Sequence, residues 1–145
     1  MIGFSVLMPV YHNDDKKQFF TALSSVTKDQ TLAPNQVVIV CDGPVPWFDD
    51  YEVKSLYSDF SVEIYKLNKN RGLGITLCFG LTKCRFEYVA RMDSDDISVP
   101  TRFEHQINHL RKNKNLVLLG SSVREFTEKS KLKIKKPPIS SNKVI

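Results

Sequence analysis

Three carboxylates, those of Asp93, Asp95 and Asp96, stand within four residues of one another. They follow residues 89–92 (VARM), an apolar or amphipathic run that indicates a buried strand. Neighbouring carboxylates repel one another unless a cation lies between them, so Asp93 and Asp95 suit a hard divalent cation with oxygen ligands. The alternative is an acidic turn whose Asp or Ser caps a helix beginning near Pro100.

The elements that must position these acids alternate along the chain. Apolar runs predict strands at residues 4–8, 36–41, 62–67, 87–92 and 116–123, and helical spacing predicts helices at 15–26, 49–57, 70–83 and 100–112. Asp14 or Asp15 is placed to cap the first helix. Because strands alternating with helices form βαβ units, the expected fold class is α/β, a mostly parallel, doubly wound sheet with helices on both faces.

Polar and small residues follow four of the predicted strands. The carboxyl ends of parallel strands share one edge of a sheet, so a ligand-binding cleft is expected there. The residues at the four ends are Pro9, Val10 and Tyr11; Asp42 and Gly43; Asn70, Arg71 and Gly72; and Asp93, Ser94 and Asp95.

Gly72 and Gly74 open the third predicted helix, where backbone N–H groups and the helix dipole favour an anion such as phosphate. Loop and cap geometry alone also explains these glycines. No GxGxxG follows the first strand and no GxxxxGK[ST] occurs, which argues against dinucleotide oxidoreductases and P-loop proteins.

The net charge of +5 first suggests a nucleic-acid partner. Residues 1–123, however, contain equal numbers of basic and acidic residues, so the whole excess belongs to residues 124–145. We therefore expect no nucleic acid as partner. The Lys-rich end is expected to be solvated or frayed, with an anionic membrane surface as the alternative partner.

The cysteines, Cys41, Cys78 and Cys84, are odd in number and lack CxxC spacing, which argues against a disulfide framework or a zinc site. The apolar stretch at residues 2–10 has no basic flank and is broken at Pro9, so neither a signal peptide nor a membrane span is predicted. A cytoplasmic location is expected. With 145 residues and 41% hydrophobic composition, the chain is of ordinary size for one globular domain.

Four motifs follow one another along the chain: FSVLMPVY at residues 4–11, VIVCDG at 38–43, NRGLG at 70–74 and RMDSDD at 91–96. In that order they resemble the family 2 inverting glycosyltransferases of the GT-A fold. Residues 100–121 are similar to members that build bacterial surface polysaccharides, of the amylovoran-biosynthesis type. The resemblance extends from residue 4 to about residue 139.

The resemblance implies a donor site. Pro9, Val10 and Tyr11 would line the base and ribose pocket of a nucleotide-sugar, and Asp42 would hydrogen-bond the base or ribose. Asp93 and Asp95 would be the DxD pair that holds Mg²⁺ or Mn²⁺ against the diphosphate. The remaining residues expected at the donor are Asp14, Asn70, Gly72, Arg91 and Ser94.

The expected donor is a nucleoside diphosphate sugar, most simply a UDP-hexose, and the expected acceptor is a saccharide or a lipid-linked saccharide. Such an enzyme would act in exopolysaccharide, capsule or O-antigen synthesis. Contact with the cytoplasmic face of the inner membrane and a homodimer are further expectations from the sequence.

Residues 1–123 are interpreted as the nucleotide-sugar-binding half of the GT-A domain, and residues 124–145 as the start of an acceptor-side segment. The catalytic base is expected beyond Ile145, and no residue of the chain is assigned to that role. A non-catalytic nucleotide-binding or interaction module on the same fold is the alternative. A phosphoacceptor signalling domain ranks last, because the first strand ends in Pro9-Val10-Tyr11 rather than in an acid pair.

Overall fold

The computed structural model describes residues 3–127 and 130–136. Two compact units make up the chain, Met1–Ile107 and Asn108–Ile145. The division at residue 123 into a donor-binding half and a basic tail stays a prediction. In chain order the elements are β1 (Phe4–Val10), α1 (Lys16–Ser25), β2 (Gln36–Cys41), α2 (Asp50–Leu56), β3 (Val62–Lys66), α3 (Leu73–Leu81), β4 (Tyr88–Arg91), α4 (Arg102–Lys112), β5 (Val123–Thr127) and β6 (Ser130–Lys135).

The first unit is built on a four-stranded sheet of order β3-β2-β1-β4, in which every neighbouring pair is parallel. Strands β1 and β2 are buried along their whole length, as is typical of parallel strands covered on both faces. The chain adds β2 and β3 on one side of β1 and then places β4 on its other side. The strand order therefore reverses between β1 and β4, which is where ligands bind in open α/β sheets.

Helices cover both faces of this sheet. On one face α3 packs so closely that a Cβ atom at Gly80 would overlap Leu7 Cδ1 of β1. On the other face Phe103 of α4 packs edge-on against Phe4 of β1, with ring centroids 4.9 Å apart. Alternate residues of β1 thus face opposite helices, and the predicted α/β class is confirmed.

Aspartates define the starts of two helices. Asp15 caps α1, and its carboxylate accepts a hydrogen bond from the Gln18 N–H at 2.9 Å. Asp49 caps α2 in the same way, accepting from the N–H of Tyr51 at 2.8 Å. Since Asp15 rather than Asp14 is the cap of α1, Asp14 is left for other contacts.

The first strand is longer than the sequence predicts, since it continues through Pro9 to Val10. The last residue pair between β1 and β4 joins Leu7 to Arg91, so Pro9 lies beyond the end of β4. Because alternate residues of a strand face the same neighbour, the nitrogen of Pro9 points to the β4 side of β1, where β4 has already ended. The missing N–H therefore breaks no hydrogen bond of the sheet, and proline is tolerated there.

The strand predicted at residues 116–123 is wrong. Residues 113–122 form neither helix nor strand, and the side chain of Val117 is 98% exposed. An apolar run forms a strand only where a neighbouring strand satisfies its backbone groups, and the described residues provide no such neighbour for 116–122.

In the second unit β5 pairs with β6 in antiparallel register, Val123 opposite Lys135 and Arg124 opposite Ile134. The expectation of a frayed tail is therefore wrong for residues 124–127 and 130–135, because their backbones are paired in a ladder. Ile134, Lys135 and Lys136 are exposed, in keeping with the expectation of a solvated segment. The rest of the predicted tail, apart from Lys136, lies outside the described residues.

Substituting alanine at three glycines should separate backbone strain from steric overlap. Gly43 has φ +83°, and a Cβ there would lie 2.5 Å from Asn70 N, whereas Gly72 has φ +85° and open space around it. We expect Gly43→Ala to lower the free energy of unfolding by about 2–4 kcal/mol and Gly72→Ala by about 1–3 kcal/mol. Gly74→Ala, in helical backbone with open space, is the matched control and should raise it by about 0.4–1 kcal/mol, because alanine restricts the unfolded chain.

The measurement is urea denaturation of the three variants and the parent chain. An equal loss of stability at Gly43 and Gly74 would contradict the assignment of strain to the turn after β2.

Candidate functional site

A pocket of about 410 Å³ opens at the carboxyl edge of the sheet, where the strand order reverses. Its wall is formed by Pro9, Val10, Tyr11, Asp14, Asp42, Asn70, Gly72, Leu73, Thr76, Arg91, Asp93, Ser94 and Asp95. The structure therefore brings every residue expected at the donor into one pocket, although their binding roles stay predictions. Leu73 and Thr76 are additional, and the position of Thr76 one helical turn after Gly72 is the signal that would have found it.

Asp42 connects the end of β2 to the start of α3. It is buried, and its two carboxylate oxygens accept hydrogen bonds from the backbone N–H groups of Arg71 at 2.6 Å and Gly72 at 2.9 Å. Its own N–H donates to the carbonyl of Val10 in β1 at 2.7 Å. The N-terminus of α3 thus already faces an anion, namely a carboxylate of the protein.

Asp14 connects the chain after β1 to the loop after β4 that contains Asp93, Asp95 and Asp96, which we call the acidic loop. Its Oδ2 atom accepts hydrogen bonds from the N–H of Tyr11 at 3.0 Å and from the hydroxyl of Ser94 at 2.6 Å. Ser94 is buried, whereas its neighbours Asp93 and Asp95 are more exposed. The hydrogen bond therefore fixes the middle of the acidic loop and leaves the carboxylates on either side facing the pocket.

The guanidinium of Arg91 forms an ion pair with Asp93. Its Nε and Nη2 atoms lie 3.0 and 2.8 Å from Asp93 Oδ1, and Nη2 lies 3.0 Å from Oδ2. Both side chains are largely exposed to solvent, and exposed pairs of this kind contribute only about 0–1 kcal/mol. Either side chain can thus leave the other for a different partner. Asp95 accepts no hydrogen bond within residues 3–127 and 130–136.

The acidic loop carries repulsive charge. Partial burial, followed by the charges of Asp95 and Asp93, raises the pKa of Asp96, while Arg102 and Arg91 oppose that effect. Arg102 also holds the start of this loop, because its Nη2 donates a hydrogen bond to the carbonyl of Arg91 at 3.0 Å. The mutual repulsion expected from the sequence is therefore present at Asp96.

A wider and more open groove of about 850 Å³ lies over α1 and α2, lined by Lys16, Lys28, Tyr57 and neighbours. None of its lining residues lies at a strand end. Lys16 pairs with Glu52, and Lys28 lies over the ring of Tyr57. We take the smaller pocket as the candidate site, because it combines polar side chains from the ends of β1 and β4 with Asp42 after β2.

Among the described residues, no three His, Cys, Asp or Glu side chains are grouped closely enough to hold a metal ion by themselves. In the same part of the chain, no helix has the length and apolar character needed to cross a bilayer. All three cysteines are free thiols.

Residues 5–143 match Glycosyl transferase family 2, and the chain belongs to that family. It is 37% identical over 145 residues to the amylovoran biosynthesis glycosyltransferase AmsE of Erwinia amylovora, covering 97% of this chain and 53% of AmsE. It is 39% identical over 123 residues to the UDP-Gal:alpha-D-GlcNAc-diphosphoundecaprenol beta-1,3-galactosyltransferase of Escherichia coli, covering 85% of this chain and 44% of that enzyme. The chain spans about half the length of these curated relatives.

Among solved structures, TarS of S. aureus in complex with UDP matches with a TM-score of 0.65 at 22% identity, over 78% of this chain and 33% of that chain. Its complex with UDP-GlcNAc matches with a TM-score of 0.62 at 22% identity, over 78% and 32% of the two chains. At this identity the likeness concerns the fold, and it confirms the expected GT-A architecture. The family resemblance drawn from the four motifs is confirmed as well.

Replacing Asp42 by alanine should destabilise the fold even without a ligand. The change leaves the N–H of Arg71 without its acceptor and leaves the N–H of Gly72 only its 3.2 Å hydrogen bond to Asn70 Oδ1. Losing hydrogen bonds to a charged acceptor costs about 1–3 kcal/mol. Asp42→Asn keeps one acceptor oxygen and should fall between the parent and Asp42→Ala. The measurement is urea denaturation in nucleotide-free buffer.

Asp95→Asn is the control for this comparison, because Asp95 is exposed and should change stability by less than about 0.5 kcal/mol. If Asp42→Ala unfolds at the same urea concentration as the control, the carboxylate does not hold the start of α3.

Proposed function

We propose that the pocket binds a nucleoside diphosphate sugar, a UDP-hexose, together with Mg²⁺ or Mn²⁺. On this proposal the chain is the donor-binding part of an enzyme that transfers a hexosyl unit to a saccharide carried on a lipid. The proposal rests on the pocket where the strand order reverses, which brings Asp93, Asp95 and Arg91 from the end of β4 together with Pro9 to Tyr11 from the end of β1.

The relatives support the choice of donor and acceptor. The name of the Escherichia coli relative specifies UDP-Gal as donor and a GlcNAc-diphosphoundecaprenol as acceptor. AmsE is named for amylovoran biosynthesis, and TarS has been solved with UDP bound. The sugars differ, UDP-Gal for the Escherichia coli relative and UDP-GlcNAc in a TarS complex, so we extend to this chain the uridine nucleotide and a lipid-linked acceptor but no particular sugar.

The acidic loop fits a divalent cation that is shared with the ligand. Asp93 and Asp95 offer hard oxygen donors, and among the described residues no third His, Cys, Asp or Glu is grouped with them closely enough to complete a metal site. Mg²⁺ is usually held by one or two carboxylates together with substrate phosphates and water, so a two-carboxylate site matches that chemistry. When bound, the cation would neutralise negative charge on the departing nucleoside diphosphate.

Charge also argues for the cation. Four carboxylates line the pocket, those of Asp14, Asp42, Asp93 and Asp95, against the single guanidinium of Arg91. A diphosphate entering such a pocket without a cation would meet net negative charge, which is unfavourable in a partly buried site. Release of Asp93 from its ion pair to the cation would leave Arg91 free to donate charge-assisted hydrogen bonds to phosphate.

The two ends of the donor are assigned to two groups of lining residues. We place the base and ribose against Pro9, Val10 and Tyr11, where lone pairs of Asp42 beyond those used by the backbone can accept hydrogen bonds. The diphosphate is placed with Asp93 and Asp95 rather than at the N-terminus of α3, because the Asp42 carboxylate already occupies that helix end.

The proposed reaction is an inverting transfer, in which the acceptor hydroxyl attacks the anomeric carbon as the nucleoside diphosphate leaves. Such a step needs a base in hydrogen-bond reach of that hydroxyl, opposite the leaving group. The acids of the pocket are assigned to the donor side, so we propose no described residue as the base. A water-soluble donor and a lipid-linked acceptor meet at a membrane surface, and we place the reaction at its cytoplasmic face.

Removing one carboxylate of the acidic loop should abolish the metal dependence of nucleotide binding. We expect UDP to bind the parent chain at least about tenfold more tightly with Mn²⁺ than with a chelator, which corresponds to about 1.4 kcal/mol. In Asp95→Asn the affinities with and without Mn²⁺ should become equal. The measurement is isothermal titration calorimetry of UDP into each variant.

Asp59→Asn is the matched control, because Asp59 is an exposed acid that does not line the pocket and should keep the full Mn²⁺ effect. Equal UDP affinity in the parent chain with and without Mn²⁺ would refute the metal site. No measurable UDP binding under either condition would refute the donor site itself.

A further inference from the structure

Helix α3 is apolar on every side but packs on the sheet with only part of its surface. Its sequence, LGITLCFGL, contains no charged residue. Thr76 and Gly80 are buried against the sheet. On the opposite side Ile75 and Leu81 are 49% and 51% exposed, and Cys78 between them is exposed as well.

Ile75, Cys78 and Leu81 recur every three residues and so form one stripe along the helix, which we term the outer face of α3. A helix that is apolar all round is normally buried on all sides. The outer face therefore requires a covering partner that is itself apolar at the point of contact.

The charges around α3 indicate what that partner is. Lys69 and Arg71 precede the helix and Lys83 follows it, while no acidic residue occurs between Glu63 and Glu87. Lys83 lies over the rings of Phe79 and Tyr65, with its Nζ 5.1 and 5.3 Å from their centroids.

The acidic groups near this surface are already engaged. Glu63 pairs with Arg85 and accepts a hydrogen bond from Tyr65 at 2.9 Å, and Asp42 is held by backbone N–H groups. Within the described part of the chain, no ion pair is formed by Lys69, Arg71 or Lys83. The outer face is thus an apolar stripe with uncompensated positive charge at both ends.

We propose that the outer face of α3 docks the chain on the surface of an anionic lipid bilayer. Ile75, Cys78 and Leu81 enter the boundary between head groups and acyl chains, and Lys69, Arg71 and Lys83 contact the phosphates of the head groups. Shallow apolar insertion combined with basic residues is how interfacial helices bind membranes. Each Lys or Arg near an anionic surface adds about fivefold to the partition coefficient.

This docking is independent of nucleotide binding, but it has a consequence for the pocket. Leu73, at the start of the same helix, lines the pocket and is itself half exposed. A bilayer in contact with the outer face would therefore lie close to the pocket, where a lipid-linked acceptor would be presented.

The first test is co-sedimentation of the whole 145-residue chain with vesicles, in the absence of nucleotide. We expect binding to vesicles of equal parts phosphatidylglycerol and phosphatidylcholine and at least about tenfold weaker binding to phosphatidylcholine alone. Leu81→Glu should weaken binding to the anionic vesicles by about tenfold or more, because it places a charge in the apolar stripe.

Leu56→Glu is the matched control, since Leu56 is also 51% exposed but belongs to α2, and it should bind within about twofold of the parent. An equal loss in both variants, or no loss in Leu81→Glu, would overturn the proposal. The second result would assign any lipid binding to other basic residues of the chain.

A second test does not depend on a substitution. Burial raises the pKa of Cys41 to about 12 and also raises the pKa of Cys84, so an exposed thiol, Cys78, should react first with a maleimide carrying an environment-sensitive dye. A blue shift of the emission on adding anionic vesicles is expected. An unchanged spectrum, or a blue shift that appears on raising the protein concentration without vesicles, would overturn the proposal, the latter because a second copy then covers the face.

UDP titration of Leu81→Glu in solution separates the two proposals. Unchanged UDP affinity together with lost vesicle binding is the expected result. Loss of both together would mean that the substitution damages α3 as a whole, and the membrane assignment would then fail.

Discussion

The site depends above all on the carboxylate of Asp42. The strand β2 is followed by Asp42, a buried acid whose two oxygens accept hydrogen bonds from the N–H groups of Arg71 and Gly72. The next residue, Gly43, lets the backbone at Asn70 approach closely. A buried carboxylate is tolerated only when hydrogen bonds replace its water, and these two do so. The start of α3, and with it one wall of the pocket, is positioned by that requirement.

A second polar contact holds the opposite wall. Asp14 accepts a hydrogen bond from the hydroxyl of Ser94, so the loop after β4 is connected to the chain after β1. Both contacts converge on the end of β1, the central strand on which the strand order reverses. The pocket is therefore bounded by two loops that are each fixed by a carboxylate, while Asp93 and Asp95 remain exposed enough to exchange partners.

The sequence predicted which residues gather in one pocket better than it predicted the hydrogen bonds that each of them makes. Strand ends in a parallel sheet share one edge, so the residues after four apolar runs had to meet, and they do. Asp42 and Asp14 were expected at the donor, yet both hold backbone or hydroxyl groups, because a hydrogen-bond partner distant in sequence leaves no local signal. The run at 116–119 shows the same limit, since its apolar composition indicates a strand but not whether a partner strand exists.

Helix α3 meets three separate requirements within nine residues. Its first turn must lie at the pocket, its Gly80 side must approach the sheet more closely than any larger residue allows, and its remaining side is left apolar. Packing against the sheet explains Thr76 and Gly80, but Ile75 and Leu81 are about half exposed, and packing alone does not explain why both are apolar. On our membrane proposal a bilayer supplies the missing reason, because the helix that would contact it also carries Leu73, which lines the pocket.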